Sequence, residues 1–328
     1  MSAVSIASKP FRNVAELAPL YANAGDAWAT VPVRITHCLN PFAAEPNSSH
    51  DRAQRVTLKS MRSARQFANL SDPELSVRHV AVVLSCDARL DNGFDEVLHL
   101  PRTIQDVADL RPKRHLPLIQ DILDAPALPD DDVLVYTNID IAIAPNFYLF
   151  LAELFRLGLD ALVINRRTVS DSYPGPEALT LMSAEVGTPH PGYDCFAFRA
   201  GLRRQFYPWN SCIGIGGVML PLVHNLLASA KAPSVLLDAH ITFHLGDDKT
   251  WTDPAFAAYA AFNQAEIVRV FEQNCAHPER GAKLLSALKS DPSGRLPRRL
   301  RSAMNMGRRP LLSVRQRVLK RLRGFTAG

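Results

Sequence analysis

The sequence predicts an α/β fold: a single domain with a mostly parallel central sheet flanked by helices, followed by a basic C-terminal tail. Two observations lead to this prediction. Short apolar runs alternate with longer stretches of helical composition, the order expected when crossover helices join parallel strands. Hydrophobic residues make up 47% of the 328 residues, which is enough to bury a sizeable core.

The first half of the chain contains three predicted strands and two predicted helices. Residues 31–39 and 77–86 are apolar runs that end at turn or polar residues, and 96–100 forms a short third strand. Residues 51–69 are rich in Arg, Lys, Gln and Ala, and 116–123 continue the helical pattern. The order strand, helix, strand indicates a crossover and therefore parallel neighbours.

The second half begins with a buried strand at 133–136 and a helix at 145–157, whose first turn contains a proline. A strand at 160–165 follows, and then a loop at 170–191 rich in Pro, Gly and Ser, with a helical piece in its middle. The remaining predicted elements are a strand at 193–198, a helix at 220–230 and a strand at 234–244. The predicted domain limits are an N-terminal extension at 1–28, the α/β domain at 29–270 and a partly helical basic tail at 271–328.

Charge is distributed unevenly along the chain. The formal net charge is +5, yet residues 295–328 hold 11 Lys and Arg and no acid, which leaves 26 basic and 32 acidic residues elsewhere, a net charge of −6. A mildly acidic body argues against a core that binds nucleic acid. In the tail, an apolar stripe with 3–4 spacing lies among the basic residues, and it consists of Leu311, Val314, Val318, Leu322 and Phe325. This pattern predicts an amphipathic helix at an anionic membrane surface. The alternatives are a disordered tail and, less favoured because no aromatic residues interleave the charges, nucleic-acid binding.

Other features indicate the compartment. The five cysteines are widely spaced and none forms a Cys-x-x-Cys pair, which favours free thiols in a reducing environment. The first residues lack the apolar core of a signal peptide, and no uninterrupted apolar run reaches about 20 residues. The prediction is a cytoplasmic protein that reaches the inner face of the membrane through its tail.

Candidate metal ligands follow the strand at 133–136, where Asn138 and Asp140 add polar groups to an apolar run. If the strand continued, both side chains would point to one face, about 7 Å apart. Ligands of open α/β sheets bind at the carboxyl ends of strands, and carboxylate and amide oxygens suit Mg²⁺ or Mn²⁺ beside phosphates. The alternative is a turn and helix-cap cluster, because Asn and Asp favour such places.

Further candidates lie in the second half. His240 and His244 would share one face of a strand about 13 Å apart, so they cannot bind one metal together, and His244 beside a glycine and a charged turn is the better ligand. Gly214 to Gly217 lack the spacing of a dinucleotide fingerprint, so they indicate unusual dihedrals or close backbone approach, either by packing or by a ligand lying against the main chain. Asp194 enters a strand after the long loop, where it either pairs locally, binds a sugar hydroxyl or acts as a base.

Three ordered segments resemble the GT-A class of nucleotide-sugar glycosyltransferases, in particular the retaining family that includes glycogenin. Tyr136-Thr-Asn-Ile-Asp140 is similar to its Tyr-Leu-Asp-Ala-Asp segment, although Asn138 replaces the first acid. Gly216-Gly-Val-Met-Leu220 is similar to part of its Asn-Ser-Gly-Val-Met-Leu segment. His244-Leu-Gly246-Asp-Asp-Lys249-Thr-Trp251 resembles a shortened His-x-x-Gly-x-x-Lys-Pro-Trp. The resemblance spans residues 30–252.

The resemblance implies a transfer of sugar from a nucleotide-diphosphate sugar to a glycan or lipid-linked acceptor. It implies Mn²⁺ or Mg²⁺ at Asp140, His244 and Asn138, and Lys249 at the phosphates. It assigns the nucleoside to Thr36, Asn40 and Asp87, and it makes Asp194 and Asp247 candidates for acceptor or sugar contacts, or for a general base.

Two other functions compete with this one. A nucleotidyltransferase that makes sugar nucleotides would share the sheet, but such enzymes usually carry a glycine-rich loop after the first strand, and Thr36 to Pro41 contain no glycine. A degenerate binding or scaffold protein of the same fold is favoured by Asn138. The sequence does not distinguish donor, acceptor, stereochemistry or oligomeric state.

Overall fold

A computed structural model describes residues 10–18, 31–84, 93–247 and 253–306. Its strands, numbered in chain order, are β1 (Phe11–Arg12), β2 (Val33–Leu39), β3 (Leu75–Leu84), β4 (Glu96–Leu100), β5 (Val133–Thr137), β6 (Ala142–Ile143), β7 (Ala161–Val169), β8 (Thr188–Arg199), β9 (Pro233–Leu236) and β10 (Thr242–Leu245). Its α-helices are α1 (Ser49–Ser71), α2 (Ile119–Asp124), α3 (Phe147–Arg156), α4 (Leu179–Ala184), α5 (Leu220–Ser229), α6 (Ala257–Ala276), α7 (Pro278–Ser290) and α8 (Arg295–Met306).

All ten strands belong to one sheet, whose main path runs β1-β9-β7-β8-β5-β2-β3-β4. The pairs from β5 through β2 and β3 to β4 are parallel, and so are β1 with β9 and β9 with β7. The antiparallel strand β8 lies between β5 and β7. Off this path, β10 pairs parallel with β7 and antiparallel with β6. The predicted α/β fold with a mostly parallel sheet is therefore confirmed.

Helices cover both faces of the sheet, and the alternation of side chains in β5 shows how. Val133 and Val135 join one apolar cluster, with residues of α1 and α3. Leu134 and Tyr136 join the other, with residues of α2, α5, α6, α7 and α8. A strand buried on both faces needs apolar residues at every position, which is why this run looks continuous in sequence.

The predicted strand at 234–244 is wrong as a single element. The chain forms β9 and β10 with a turn between them, in which His240 adopts a φ of 52°. Both strands pair with β7, but from Leu236 to Phe243 the chain advances further than β7 does between their partners Ile164 and Arg167, so the residues between β9 and β10 leave the sheet. His240 therefore lies outside any strand and is exposed, while His244 is buried in β10.

The glycine segment is a turn into α5. Gly214 and Gly217 have φ of 75° and 84°, a region that L-residues rarely adopt. A Cβ on Gly217 would lie 2.8 Å from Gln264 Nε2 and 3.1 Å from Ile267 Cδ1. Both expectations for this segment, unusual dihedrals and close packing, are confirmed.

Both ends of the described chain pack against the central sheet and its helices. Phe11 is buried, and its strand pairs with β9 at the sheet edge. In α8, Leu296, Leu300 and Ala303 are buried in the larger apolar cluster. The predicted domain limits stay predictions, and the apolar stripe at 311–325 lies outside the described residues. None of the helices in the described part of the chain is long and apolar enough to cross a bilayer.

Among the described residues, His224 is a buried histidine without a polar partner. His224 of α5 is fully covered and its ring lies edge-on to Phe271, 5.6 Å between centroids. Neither of its ring nitrogens has a hydrogen-bond partner among the residues that the structure describes. Burial lowers the pKa of His224 to about 4, so it is neutral at pH 7.

We expect His224→Leu to raise the free energy of unfolding by about 1 kcal/mol at pH 7, because an unpaired polar group leaves an apolar site. We also expect the free energy of unfolding of His224→Leu to fall less than that of the wild type as the pH is lowered. Between pH 4 and 6.5 the unfolded state binds more protons than a folded state with neutral His224, so this contribution to stability is lost as the pH falls through that window. One such group contributes on the order of 3 kcal/mol of pH dependence.

Urea unfolding at pH 7.5 and pH 4.5 measures both effects. The matched control is His99→Leu, because His99 is exposed in β4. A variant at position 224 whose stability falls with acid as steeply as that of the wild type would contradict the expectation.

Candidate active site

The candidate site is at the carboxyl end of β5, where the strand stops and a turn begins. Thr137 ends the strand, and the amide of Ile141 donates to the carbonyl of Asn138 at 3.0 Å, which closes a turn over residues 138–141. The expected placement of Asn138 and Asp140 on one strand face is therefore wrong. After the turn, β6 pairs with β10, and this pairing brings Asp140 to His244.

Asp140 and His244 form a hydrogen-bonded pair. His244 Nε2 donates to Asp140 Oδ2 at 3.2 Å, and Nδ1 donates to the carbonyl of Gly246 at 2.9 Å. Burial lowers the pKa of His244, but the hydrogen bond to Asp140 and its charge outweigh burial, so the pKa lies above its ordinary value. For Asp140 burial raises the pKa, and the hydrogen bond and charge of His244 bring it below its ordinary value.

The turn after His244 requires its glycine. Gly246 has a φ of 68°, and a Cβ there would lie 3.1 Å from the Cβ of Asp171. Its carbonyl is the group that holds His244 Nδ1, so the turn sets the orientation of the imidazole. The glycine of this segment thus positions the histidine.

A cavity of about 110 Å³ adjoins this pair. Its lining combines the pair with the start of α1 and two exposed acids, and includes Ser49, His50, Arg52, Asp140, Asp171, His244 and Asp247. Asp140 Oδ1 is covered and has no hydrogen-bond partner among the described residues. A covered, unpaired carboxylate oxygen beside an imidazole nitrogen suits a divalent cation, although no group of three or more His, Cys, Asp or Glu converges within the described residues.

Asn138 is engaged elsewhere. Its Oδ1 accepts from the Tyr136 hydroxyl at 3.1 Å, and its Nδ2 donates to Asp194 Oδ1 at 3.4 Å. Asp194 Oδ2 lies 3.1 Å from Nε of Arg166. The structure therefore brings Asn138 together with Asp194 and Arg166, and both carboxylate oxygens of Asp194 have neighbours.

Sequence reasoning missed Arg166 and His190. Irregular register between β7 and β8 falls at Asn165 to Arg167, and a β-bulge of this kind re-aims side chains. Arg166 Nη2 lies 3.2 Å from His190 Nε2, and burial together with the charge of Arg166 lowers the pKa of His190 to about 4. No motif marks such a bulge, so the sequence carried no signal for this cluster.

Of the residues predicted to hold a nucleoside, two are described. Thr36 is buried in the middle of β2, paired between Arg78 and Leu134 rather than at the strand end. Asn40 follows β2 and donates from Nδ2 to the carbonyl of Val82 at 2.6 Å. Asp87 and Lys249 lie outside the described residues.

A buried polar network supports the end of β5 from within the sheet. His37 Nε2 lies 2.9 Å from Thr137 Oγ1, and its Nδ1 lies 2.8 Å from the Tyr148 hydroxyl, which also meets His79 at 3.0 Å. Burial holds the pKa of His37 well below its ordinary value. These neutral side chains fix the last residue of β5 and hence the start of the turn that carries Asp140.

No protein-family model matches the sequence, and a search of curated proteins found no significant match. Among solved structures, the chain is similar to Staphylococcus aureus TarS residues 1–349 in complex with UDP-GlcNAc, with 12% identity, a TM-score of 0.41 and coverage of 84% of this chain and 88% of that one. It is also similar to the galactosyltransferase LgtC in complex with donor and acceptor sugar analogues (11%, 0.32, 73% and 96%).

A third similar structure is the 4-diphosphocytidyl-2C-methyl-D-erythritol synthase of Anaerococcus prevotii (10%, 0.34, 73% and 100%). Nucleotide-sugar glycosyltransferases are thus among the structures similar to this chain, the class that the sequence motifs resemble. Because these TM-scores are below 0.5 and the identities are 10–12%, we infer activity only from the chain's own site.

Proposed function

We propose that this protein is a glycosyltransferase that moves a sugar from a nucleotide-diphosphate sugar to a glycan or lipid-linked acceptor. The observation that carries the proposal is the Asp140–His244 pair at the carboxyl end of β5, with a covered, unpaired carboxylate oxygen beside a cavity. Sugar nucleotides present two negatively charged phosphates, and a strand-end site with an exposed entrance suits them.

Two of the three predicted ligands, Asp140 and His244, lie together and could bind a divalent cation. Asp140 would hold Mn²⁺ or Mg²⁺ through its unpaired Oδ1, and His244 would do so through Nε2 after that nitrogen releases its proton. Such an ion stabilises negative charge on the departing diphosphate. Asn138 remains a candidate ligand only if its side chain leaves Tyr136 and Asp194, to which it is now hydrogen-bonded.

The contacts of the other predicted site residues suggest what each of them would bind. Asp194 is held by Asn138 and Arg166, which supports a role in fixing a sugar hydroxyl rather than in proton transfer. Asp247 is exposed at the cavity, which supports a contact with the acceptor, or a general base if the reaction inverts. Lys249 remains the proposed cation at the phosphates, and Asn40 and Asp87 the proposed surroundings of the nucleoside. Thr36 is no longer proposed there, because it is buried in the middle of β2.

Calorimetric titration with UDP and Mn²⁺, followed by a screen for hydrolysis of nucleotide sugars, tests the proposal. We expect binding that requires both components, and turnover of at least one sugar nucleotide. Release of pyrophosphate from a nucleoside triphosphate and a sugar phosphate would instead indicate a nucleotidyltransferase. Binding without turnover would indicate a scaffold protein, and no binding at millimolar UDP would contradict both enzymatic functions.

We further propose that the protein is cytoplasmic and binds the inner face of the membrane through residues 295–328. α8 contains four arginines and no acid, and Arg295, Arg298 and Arg301 form no ion pair with any described residue. Each basic residue near an anionic surface contributes about 1 kcal/mol to binding. A lipid-linked acceptor would be presented at this surface.

Sedimentation with lipid vesicles checks the tail. We expect the full chain to sediment with vesicles that contain anionic lipid and not with neutral ones. The test removes the residues after Met306 and keeps α8, because a truncation that also removed α8 would take Leu296 and Leu300 out of the core. If the truncated and full chains partition equally, residues 307–328 have no membrane role.

A further inference from the structure

The start of α1 brings a guanidinium to the candidate site that no motif marks. Ser49, His50, Arg52 and Ala53 line the same cavity as Asp140 and His244. A hydrogen bond joins α1 to β6, because Ser60 Oγ accepts from the amide of Ile143 at 3.0 Å. Arg52, two turns before Ser60, therefore has a fixed position relative to Asp140 and the turn that carries it.

Within the described part of the chain, Arg52 is unpaired. It is half-buried, and its side chain makes no hydrogen bond or ion pair with any residue that the structure describes. Other arginines of α1 are engaged, Arg55 with Asp51 at 3.1 Å and Arg65 with Asp95 at 2.6 Å. A half-buried guanidinium that stays unpaired beside three carboxylates is kept free for another anion.

The size of the cavity limits what that anion is. About 110 Å³ is well below the roughly 300–1,000 Å³ of pockets that enclose whole small molecules, so this space holds only one part of a ligand. A guanidinium prefers planar or tetrahedral oxyanions, to which it donates two parallel hydrogen bonds. The first turn of α1, which Ser48 caps, adds the positive end of a 23-residue helix.

We propose that Arg52 binds the diphosphate of the donor in the cavity that it lines together with the Asp140–His244 pair. This inference rests on the proposed function for the identity of the ligand. Arg52 would donate to phosphate oxygens and offset charge that grows there as the sugar leaves, which makes it a donor-binding residue additional to those of the strand-end motif.

Calorimetric titrations of the full chain with UDP, uridine and inorganic pyrophosphate test the inference, each with Mn²⁺ present. We expect Arg52→Gln to weaken binding of UDP and pyrophosphate about 10-fold or more, the effect of losing a charge-assisted hydrogen bond, and to leave uridine unchanged. Arg52→Lys should recover part of the loss because it keeps the charge. The matched control is Arg55→Gln, which removes the same charge one turn further along α1 and should shift these affinities less than two-fold.

The outcomes separate the two claims. Wild-type affinity for UDP and pyrophosphate in Arg52→Gln would overturn the inference while leaving the proposed function standing, as would an equal loss in Arg55→Gln. Weaker pyrophosphate binding in a protein that turns over no sugar nucleotide would support Arg52 and count against the glycosyltransferase. If the wild type binds neither UDP nor pyrophosphate, both claims fail.

Discussion

Asp140→Asn is expected to lower kcat/KM for the sugar nucleotide at least about 100-fold, which corresponds to about 2.7 kcal/mol of transition-state stabilisation. Asp140 is the one carboxylate of its motif, since Asn138 stands at the other polar position. An amide oxygen carries no charge to hold a cation or to balance His244. The measurement is donor hydrolysis and transfer at saturating Mn²⁺.

The fold should survive this change. The substituted amide oxygen can still accept from His244 Nε2, and about a third of the Asp140 side chain is exposed, so the free energy of unfolding should change by about 1 kcal/mol or less. Near-wild-type turnover in a folded variant would remove Asp140 from the site. Asp131→Asn is a suitable control, because Asp131 precedes the same strand at its opposite end and is exposed.

The second large effect is expected at His244. His244→Ala should weaken Mn²⁺-dependent UDP binding about 10- to 100-fold, because it removes both a candidate ligand and the group that orients Asp140. His240→Ala should change the affinity less than two-fold, since His240 lies in the exposed turn between β9 and β10. Calorimetric titration with UDP at fixed Mn²⁺ compares them.

Because His244 is buried, His244→Gln serves as a second variant that keeps a hydrogen-bonding side chain. His244→Gln should bind UDP as weakly as His244→Ala does. Its free energy of unfolding should be closer to that of the wild type. Equal losses at positions 240 and 244, or a larger loss at 240, would show that β10 does not present the ligand.

The architecture followed from local pattern. Val133 to Tyr136 are apolar at four successive positions, and only a strand buried on both faces needs that arrangement. Composition and Pro145 predicted α1, α2, α3 and α5 within a few residues of their observed ends, but α6 and α7 were not predicted. Asp140 and His244 were candidates from the sequence because Asp140 follows β5 and His244 lies in β10, each beside a turn whose residue types are local in sequence.

The arrangement of the site was decided by tertiary structure. The Asp140–His244 pair joins residues 104 positions apart, and it forms because β6 and β10 pair across the sheet. The turn at 138–141 places Asn138 beside Asp194, and the irregular register between β7 and β8 places Arg166 beside the same carboxylate. Arg52 comes from a helix that the motifs did not include. Side-chain direction depends on register, bulges and helix docking, which are set by packing between distant segments. The sequence alone therefore named candidate residues at the end of β5 but not which of them meet.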